Sequence, residues 1–293
     1  MNIIEYFENK KILKNIKKEF VLNSLDKEMS ASDLLTLTKK YKAIKSLIDT
    51  APNLTSTDII SIEKRNVIEQ SILSVITDMP NILRLRSYRR GYFCTTTIAN
   101  RALANGFYDI VKFALQDPHG CTNVDEYGNN LGMDCANSGH PDLAEIALDN
   151  AAARTQQDDC GRNIGMLLAD ATNSSRSQYV VGKPGKNAQQ LRSEYDNAIL
   201  KALSYDDCST QQDKDGFNIG MYCVNQYLNP NCFWSAVQNE QARTQTNNYG
   251  DTMCDMAIGI GYKAEDITKR TGNDIVTENI ERFKSKIQSE LGM

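Results

Sequence analysis

The sequence predicts an all-α chain: helical units of near-identical sequence stacked side by side, with helices of a different character at both ends. Three observations lead there. A phrase recurs, as DEYGNNLGMDCA at 125–136, DDCGRNIGMLLA at 158–169 and DKDGFNIGMYCV at 213–224. A glycine in it falls at Gly128, Gly161 and Gly216, and again at Gly250, in steps of 33, 55 and 34 residues. The middle step is one period of 33 plus an insertion of 22. Outside the phrase, apolar residues recur at helical spacing. A fixed period of this length marks a stacked-repeat chain, in which each unit buries its apolar faces against a near-copy of itself.

From the N-terminus, residues 1–90 lack the phrase and read as a helical module. One helix is expected over 32–48, after a Ser-Ala-Ser-Asp start. A second is expected over 56–79, where Ile59, Ile60, Ile62, Val67, Ile68, Ile72, Leu73 and Val75 follow helical spacing. Pro52, Asn53 and Pro80 punctuate the joins. The module is expected to cap the first repeat, since a repeat stack must hide its apolar end. It holds 16 Lys/Arg against 11 Asp/Glu, whereas residues 91–293 hold 17 against 26, so a basic front joins an acidic body.

Residues 91–272 carry the repeats. Three residues before each ruler glycine stand Asp125, Asp158, Asp213 and Asn247. That is turn chemistry, in which a side-chain oxygen bonds the backbone ahead and glycine accepts positive φ. Six before it stand Thr122, Thr155, Thr210 and Thr244. Two after it stand Asn130, Asn163, Asn218 and Thr252, suited to cap a helix. Met133, Met166 and Met221 follow (Asp255 in the last copy), then Ala136, Ala169, Val224 and Ile258, on one helical face. Gly132, Gly165 and Gly220 each disfavour a helix by about 1 kcal/mol, acceptable where bare backbone admits a close neighbour.

The second half of a unit reads ANSGHPDLAEIALDNAA at 136–152. Gly139 is expected to end one helix and Pro141 to start the next, with Leu143, Ile146, Ala147 and Leu148 as its apolar face. ALANGFYDIVKFAL at 102–115 repeats this 33 residues earlier, giving about five units.

The order D-x-x-G-x-[NT]-x-x-M-x-x-A, followed by G-H-x-D-L at period 33, resembles the ankyrin repeat over residues 95–269. The resemblance implies a solenoid of helix-turn-helix repeats that binds proteins along a concave face of hairpin tips and first helices. This chain departs from the family's T-P-L-H, writing N-L-G-M or N-I-G-M instead. The family's Thr and His hydrogen-bond within and between repeats, which Met cannot do. The asparagines are expected to keep the cap while the methionines fill the gap as flexible apolar packers. Divergent repeats behind a private helical cap resemble bacterial effectors or phage-encoded inhibitors that block or redirect a host protein.

The 22-residue excess reads as an exposed loop over 173–187, either a tolerated insertion or a finger whose Tyr179 meets a partner. Its GKPGK lacks phosphate-loop spacing. Residues 273–293 are expected to form an amphipathic helix that closes the last repeat.

Catalytic chemistry is hard to find, and no enzyme is expected. The eight cysteines stand singly, without C-x-x-C pairs, and read as reduced apolar fillers. A metal site from Cys160, Cys208 or His119 has little support, and no cofactor is expected. His119 and His140 lie beside turn residues, and Asp125, Asp158, Asp159, Asp213 and Asp215 read as turn caps before general acids or bases. No apolar run is long enough to span a membrane, and the N-terminus lacks an uninterrupted apolar stretch for a signal peptide, so a cytoplasmic protein, of the host if an effector, is expected.

The expected function is a non-catalytic protein-binding module. The tip positions are Glu126, Tyr127, Asp159, Cys160, Lys214, Asp215, Asn248 and Tyr249, with Tyr179 on the loop. Exposed tyrosines make good anchors, and the surrounding acid suits a partner with a basic surface. Each position also reads as plain solvated turn. Two alternatives stand beside this one. RLRSYRRGYF at 84–93 could bind nucleic acid through Arg84, Arg86, Arg89 and Arg90, although an acidic body disfavours it. The repeats could instead recruit substrate for an enzyme sited in residues 1–90, which contain neither His nor Cys.

Overall fold

The computed structural model describes residues 3–22, 25–51, 59–88, 95–173, 187–224 and 230–272. The chain is mostly helical. It forms two compact units, Met1–Asp159 and Cys160–Met293. Arg89, Arg90, Cys94, Tyr179, nearly all of the loop expected over 173–187 and the expected C-terminal helix lie outside the described residues.

The first unit opens with α1 (Ile3–Glu19), α2 (Leu25–Glu28), α3 (Ala31–Thr50) and α4 (Ile59–Asp78). Ser30 starts α3, its hydroxyl accepting the Asp33 N–H at 3.1 Å. Leu34, Leu37, Tyr41, Ile44 and Ile48 recur every three to four residues and are buried. In α4 the apolar spacing overstated the core. Ile72 and Ile76 are buried, but Ile62 and Val67 are 44% and 66% exposed. Apolar residues all round a helix do not say which stripe faces inward.

The all-helical expectation for this module needs one correction. Three short strands, β1 (Phe20–Val21), β2 (Arg86–Tyr88) and β3 (Thr95–Thr96), form an antiparallel sheet in that order. Tyr41 ties α3 to it, its hydroxyl donating to the Thr96 carbonyl at 2.7 Å. The module also clasps the first helical pair, α5 (Ile98–Ala104) and α6 (Tyr108–Gln116). Glu69 accepts the Asp109 N–H at 2.9 Å, supplying from α4 the cap that α6 lacks. The Arg65 guanidinium lies 4.0 Å above the Phe107 ring. The compact unit Met1–Asp159 thus holds both this module and the first repeats.

Four of the helical pairs are followed by one more element than expected. After α5 and α6 comes a short helix, α7 (Pro118–Thr122), and after α8 (Leu131–Asn137) and α9 (Pro141–Ala147) comes α10 (Ala151–Thr155). In the second unit α11 (Ile164–Asn173) and α12 (Ala188–Leu203) lead to α13 (Asp206–Ser209). Next, α14 (Ile219–Cys223) and α15 (Pro230–Ala236) lead to α16 (Glu240–Thr244). The unit's described elements close with α17 (Met253–Gly259) and α18 (Ala264–Thr271). The threonine column ends these short helices, each hydroxyl donating back to a carbonyl four residues earlier, as Thr155 does to Ala151 at 2.8 Å. The insertion does not all lie in a loop, because α12 runs 16 residues where α9 and α15 run seven.

Gly139 ends the first helix of its copy at φ 78°, and Pro141 opens the next. His140, between them, is buried, its ring 4.7 Å from Tyr108. On α9, Leu143, Ala144, Ala147 and Leu148 are buried while Ile146 is only half-buried, so Ala144 takes the inward place given to Ile146.

Candidate functional site

The tips begin with the turn. Asp213 Oδ1 accepts the N–H groups of Asp215 and Phe217 at 2.9 and 2.8 Å, and its own N–H donates to the Phe217 carbonyl at 2.9 Å. Asp125 does the same with Tyr127 and Asn129, both at 2.8 Å, and Asn247 with Tyr249 and Asp251, at 2.9 and 3.0 Å. Gly216 closes its turn at φ 81°, and a Cβ there would sit 2.8 Å from the Asn247 Cα. The ruler glycine is therefore required twice, by its φ and by the backbone of the next copy.

A ladder links successive turns. In the first unit the Asp159 N–H donates to the Tyr127 carbonyl at 2.8 Å. In the second, Lys214 donates to Cys160 at 3.0 Å and Asn248 to Asp215 at 2.9 Å. The sequence-predicted tip residues thus fall in two groups: Glu126, Tyr127 and Asp159 in one unit; Cys160, Lys214, Asp215, Asn248 and Tyr249 in the other. All eight are exposed. Tyr127 and Tyr249 are 59% and 72% exposed, well above a structural tyrosine such as Tyr41.

Beneath the tips runs a buried row that the sequence reading only half saw. Asn130, Asn163 and Asn218 cap their helices as expected, each Oδ1 accepting the methionine N–H at 3.0 Å. The same side chains also reach the next copy. Asn218 Nδ2 donates to the Ala242 carbonyl and to Gln245 Oε1, both at 2.8 Å. Asn130 pairs likewise with Ala153 and Gln156, and Asn163 with Cys208 and Gln211. Gln245 Nε2 in turn donates to the Thr210 carbonyl at 2.6 Å. Asparagine therefore does both jobs that the resemblance assigned to Thr and His. Gln156, Gln211 and Gln245 stand five before Gly161, Gly216 and Gly250, a readable column that was not read.

The helix glycines serve close approach, as expected. A Cβ on Gly220 would run into Met253, and one on Gly165 into Ile219, the first residue of the next copy's helix. Met133, Met166 and Met221 are buried.

Six residues after the ruler glycine, the helices at Gly216 and Gly250 turn a side chain toward their own turns. Tyr222 donates its hydroxyl to Asp213 Oδ2 at 2.7 Å. Met256 Sδ accepts Asn247 Nδ2 at 3.9 Å. Asp134 is instead within reach of the charges of Asp125 and Glu126. Burial first, then those two charges, push its carboxyl up to about 8, against the pull of Asn100 Nδ2, which donates to Asp134 Oδ2.

Of the seven cysteines described, only Cys160 is exposed. Burial pushes the Cys121 and Cys232 thiols up to about 12 and Cys223 well above the usual range, so all three stay protonated and weakly nucleophilic. Among the described residues no group of three His, Cys, Asp or Glu is placed to hold a metal ion. No helix among them is long and apolar enough to cross a membrane.

Two of the four candidate nucleic-acid arginines are committed to the fold. Arg84 is buried and forks onto Glu28 at 2.5 and 2.7 Å. Arg86 donates to the Val124 carbonyl.

Compared with known proteins, the chain matches no family model and no curated protein.

Proposed function

We propose that the chain is a non-catalytic, ankyrin-like repeat protein, and that its tip turns dock a partner protein with a basic surface. The reading rests on one observation. The turn backbone is tied copy to copy, yet the side chains at the tips are all exposed and differ between copies. Within each unit such turns are pre-organised, so little ordering entropy is lost on binding. Tyr127 and Tyr249 offer large amphipathic area for two torsions each. Glu126, Asp159 and Asp215 add the negative charge that would steer a basic partner. Blocking or redirecting a host protein is the role this architecture would serve.

The test is affinity capture on immobilised wild-type protein and on a Tyr127→Ala/Tyr249→Ala variant, with retained proteins identified by mass spectrometry. The expected outcome is a basic partner retained by wild type at low salt, released as salt rises, and lost from the folded variant. Equal retention by both proteins would remove the tips from the interface.

A further inference from the structure

We propose that Trp234 and Tyr262 form a second docking point, a ring surface that takes an arginine side chain of a basic partner and that Arg270 occupies in the partner's absence. Its partner chemistry rests on the docking reading above, whereas its residues lie outside the tips.

The chain departs from its own pattern here. Ten residues before the threonine column stand Lys112, Glu145, Leu200 and Trp234, so three copies put a charge or an aliphatic chain where the fourth puts an indole. On α15, Trp234 follows the fully buried Phe233, their ring centroids 4.9 Å apart. Tyr262, just before α18, meets both rings, 4.9 Å from Phe233 and 5.6 Å from Trp234, the second contact inclined at 70°. Phe233 thus anchors the cluster from inside, while Trp234 and Tyr262 stay half-buried. Rings packed in this way are in place before a ligand arrives.

The occupant shows what the surface accepts. The Arg270 Cζ lies 4.2 Å from the Trp234 ring centroid, where the negative face of an indole attracts a cation. Asp266 stands four residues back on α18, at the spacing of a helical ion pair. Even so, among the described residues the Trp234 ring is the one partner of the Arg270 guanidinium. Arg65 on Phe107 is a different case. That ring is fully buried, and the guanidinium also donates to the Asn105 carbonyl, so the contact belongs to the core. Arg270 is exposed, and α18 is tied to α15 separately, by Gln238 Nε2 donating to the Arg270 carbonyl at 3.4 Å. The side chain can therefore leave the ring without releasing the helix, and a partner's arginine can take its place. A planar guanidinium stacks on a ring where a lysine ammonium only sits above it.

Trp234 is the chain's only tryptophan, so its emission reports on this ring alone. The experiment titrates wild type and Arg270→Ala with a capped tetra-arginine peptide at fixed ionic strength, with the uncharged tetra-citrulline peptide as control. A saturating change in emission is expected with the arginine peptide in both proteins. Half-saturation is expected at about two- to fivefold lower peptide in Arg270→Ala, where no resident cation competes. The citrulline peptide is expected to change neither protein. A response that never saturates, equal half-saturation in the two proteins, or an equal response to citrulline would overturn the proposal. If Arg270→Ala does not fold, the contrast between the two peptides on wild type decides the matter. Tyr127→Ala/Tyr249→Ala is expected to titrate like wild type, so a failure of the tips leaves this surface standing; loss of the response in that variant would show that it is no separate docking point.

Discussion

Two layers of each repeated copy follow opposite rules. In the inner row the residues recur, with Thr252 the exception: buried Asn130, Asn163 and Asn218 above, half-buried Gln156, Gln211 and Gln245 below. In the tip row they differ: Glu126-Tyr127, Asp159-Cys160, Lys214-Asp215, Asn248-Tyr249. The tip backbone bonds the next copy directly, whereas the buried row reaches it through side chains. Side chains are held constant where a neighbour must be met in a fixed geometry, and vary where they meet solvent. That division separates the residues that build the stack from those free to serve binding.

Breaking the buried row is expected to have the largest effect. Asn218→Ala removes the cap on Met221 and both bonds to the next copy, leaving buried partners unsatisfied. Urea unfolding is expected to show a loss of roughly 3–5 kcal/mol.

Asp134→Asn sharpens the comparison where a tip reaches into the buried layer. The folded carboxyl is raised from 3.8 to about 8, so the unfolded chain ionises first as pH rises. Wild-type stability therefore falls between about pH 4 and pH 8 and levels off above. The variant lacks that slope. Its advantage is expected to grow by up to roughly 2.7 kcal/mol from pH 5 to pH 7, and thermal melts across that range check it.

Next come the glycines. Gly216→Ala forces a side chain to φ 81° and against the Asn247 backbone, for an expected loss of roughly 2 kcal/mol in the same urea assay. Gly220→Ala meets the flexible end of Met253 and, at 3.0 Å, the Ala236 Cβ, and is expected to lose about 1 kcal/mol. At the bottom of the scale, Tyr127→Ala and Tyr249→Ala are expected to change stability by less than about 0.5 kcal/mol. A larger loss would mean that these tyrosines belong to the buried layer after all.

The parts of this fold that were legible in the sequence are the local ones. Asp213 bonds residues two and four ahead, Asn218 Oδ1 bonds three ahead, and Gly216 turns its own backbone. Such bonds leave a signature at fixed short spacing. The illegible parts are those whose partners lie far along the chain. Asn218 Nδ2 meets Gln245 across 27 residues, and Asn163 meets Gln211 across 48, because the insertion intervenes. β1 pairs with β2 across more than 60 residues, in strands too short for alternation to show. The short helices α7, α10, α13 and α16 run four or five residues, too few to display a helical period. Of the candidate site, the tip positions and their exposure were readable from the turns. The conflict between Asp134 and Asp125 was not, since it appears only when a helix is laid over its own turn.

The most direct test of copy-to-copy bonding is a double-mutant cycle on Asn218→Ala and Gln245→Ala, read by urea unfolding. A coupling energy of about 1 kcal/mol or more is expected, since the two amides share one part-buried bond. Strictly additive losses would show that the copies are not held together through this row.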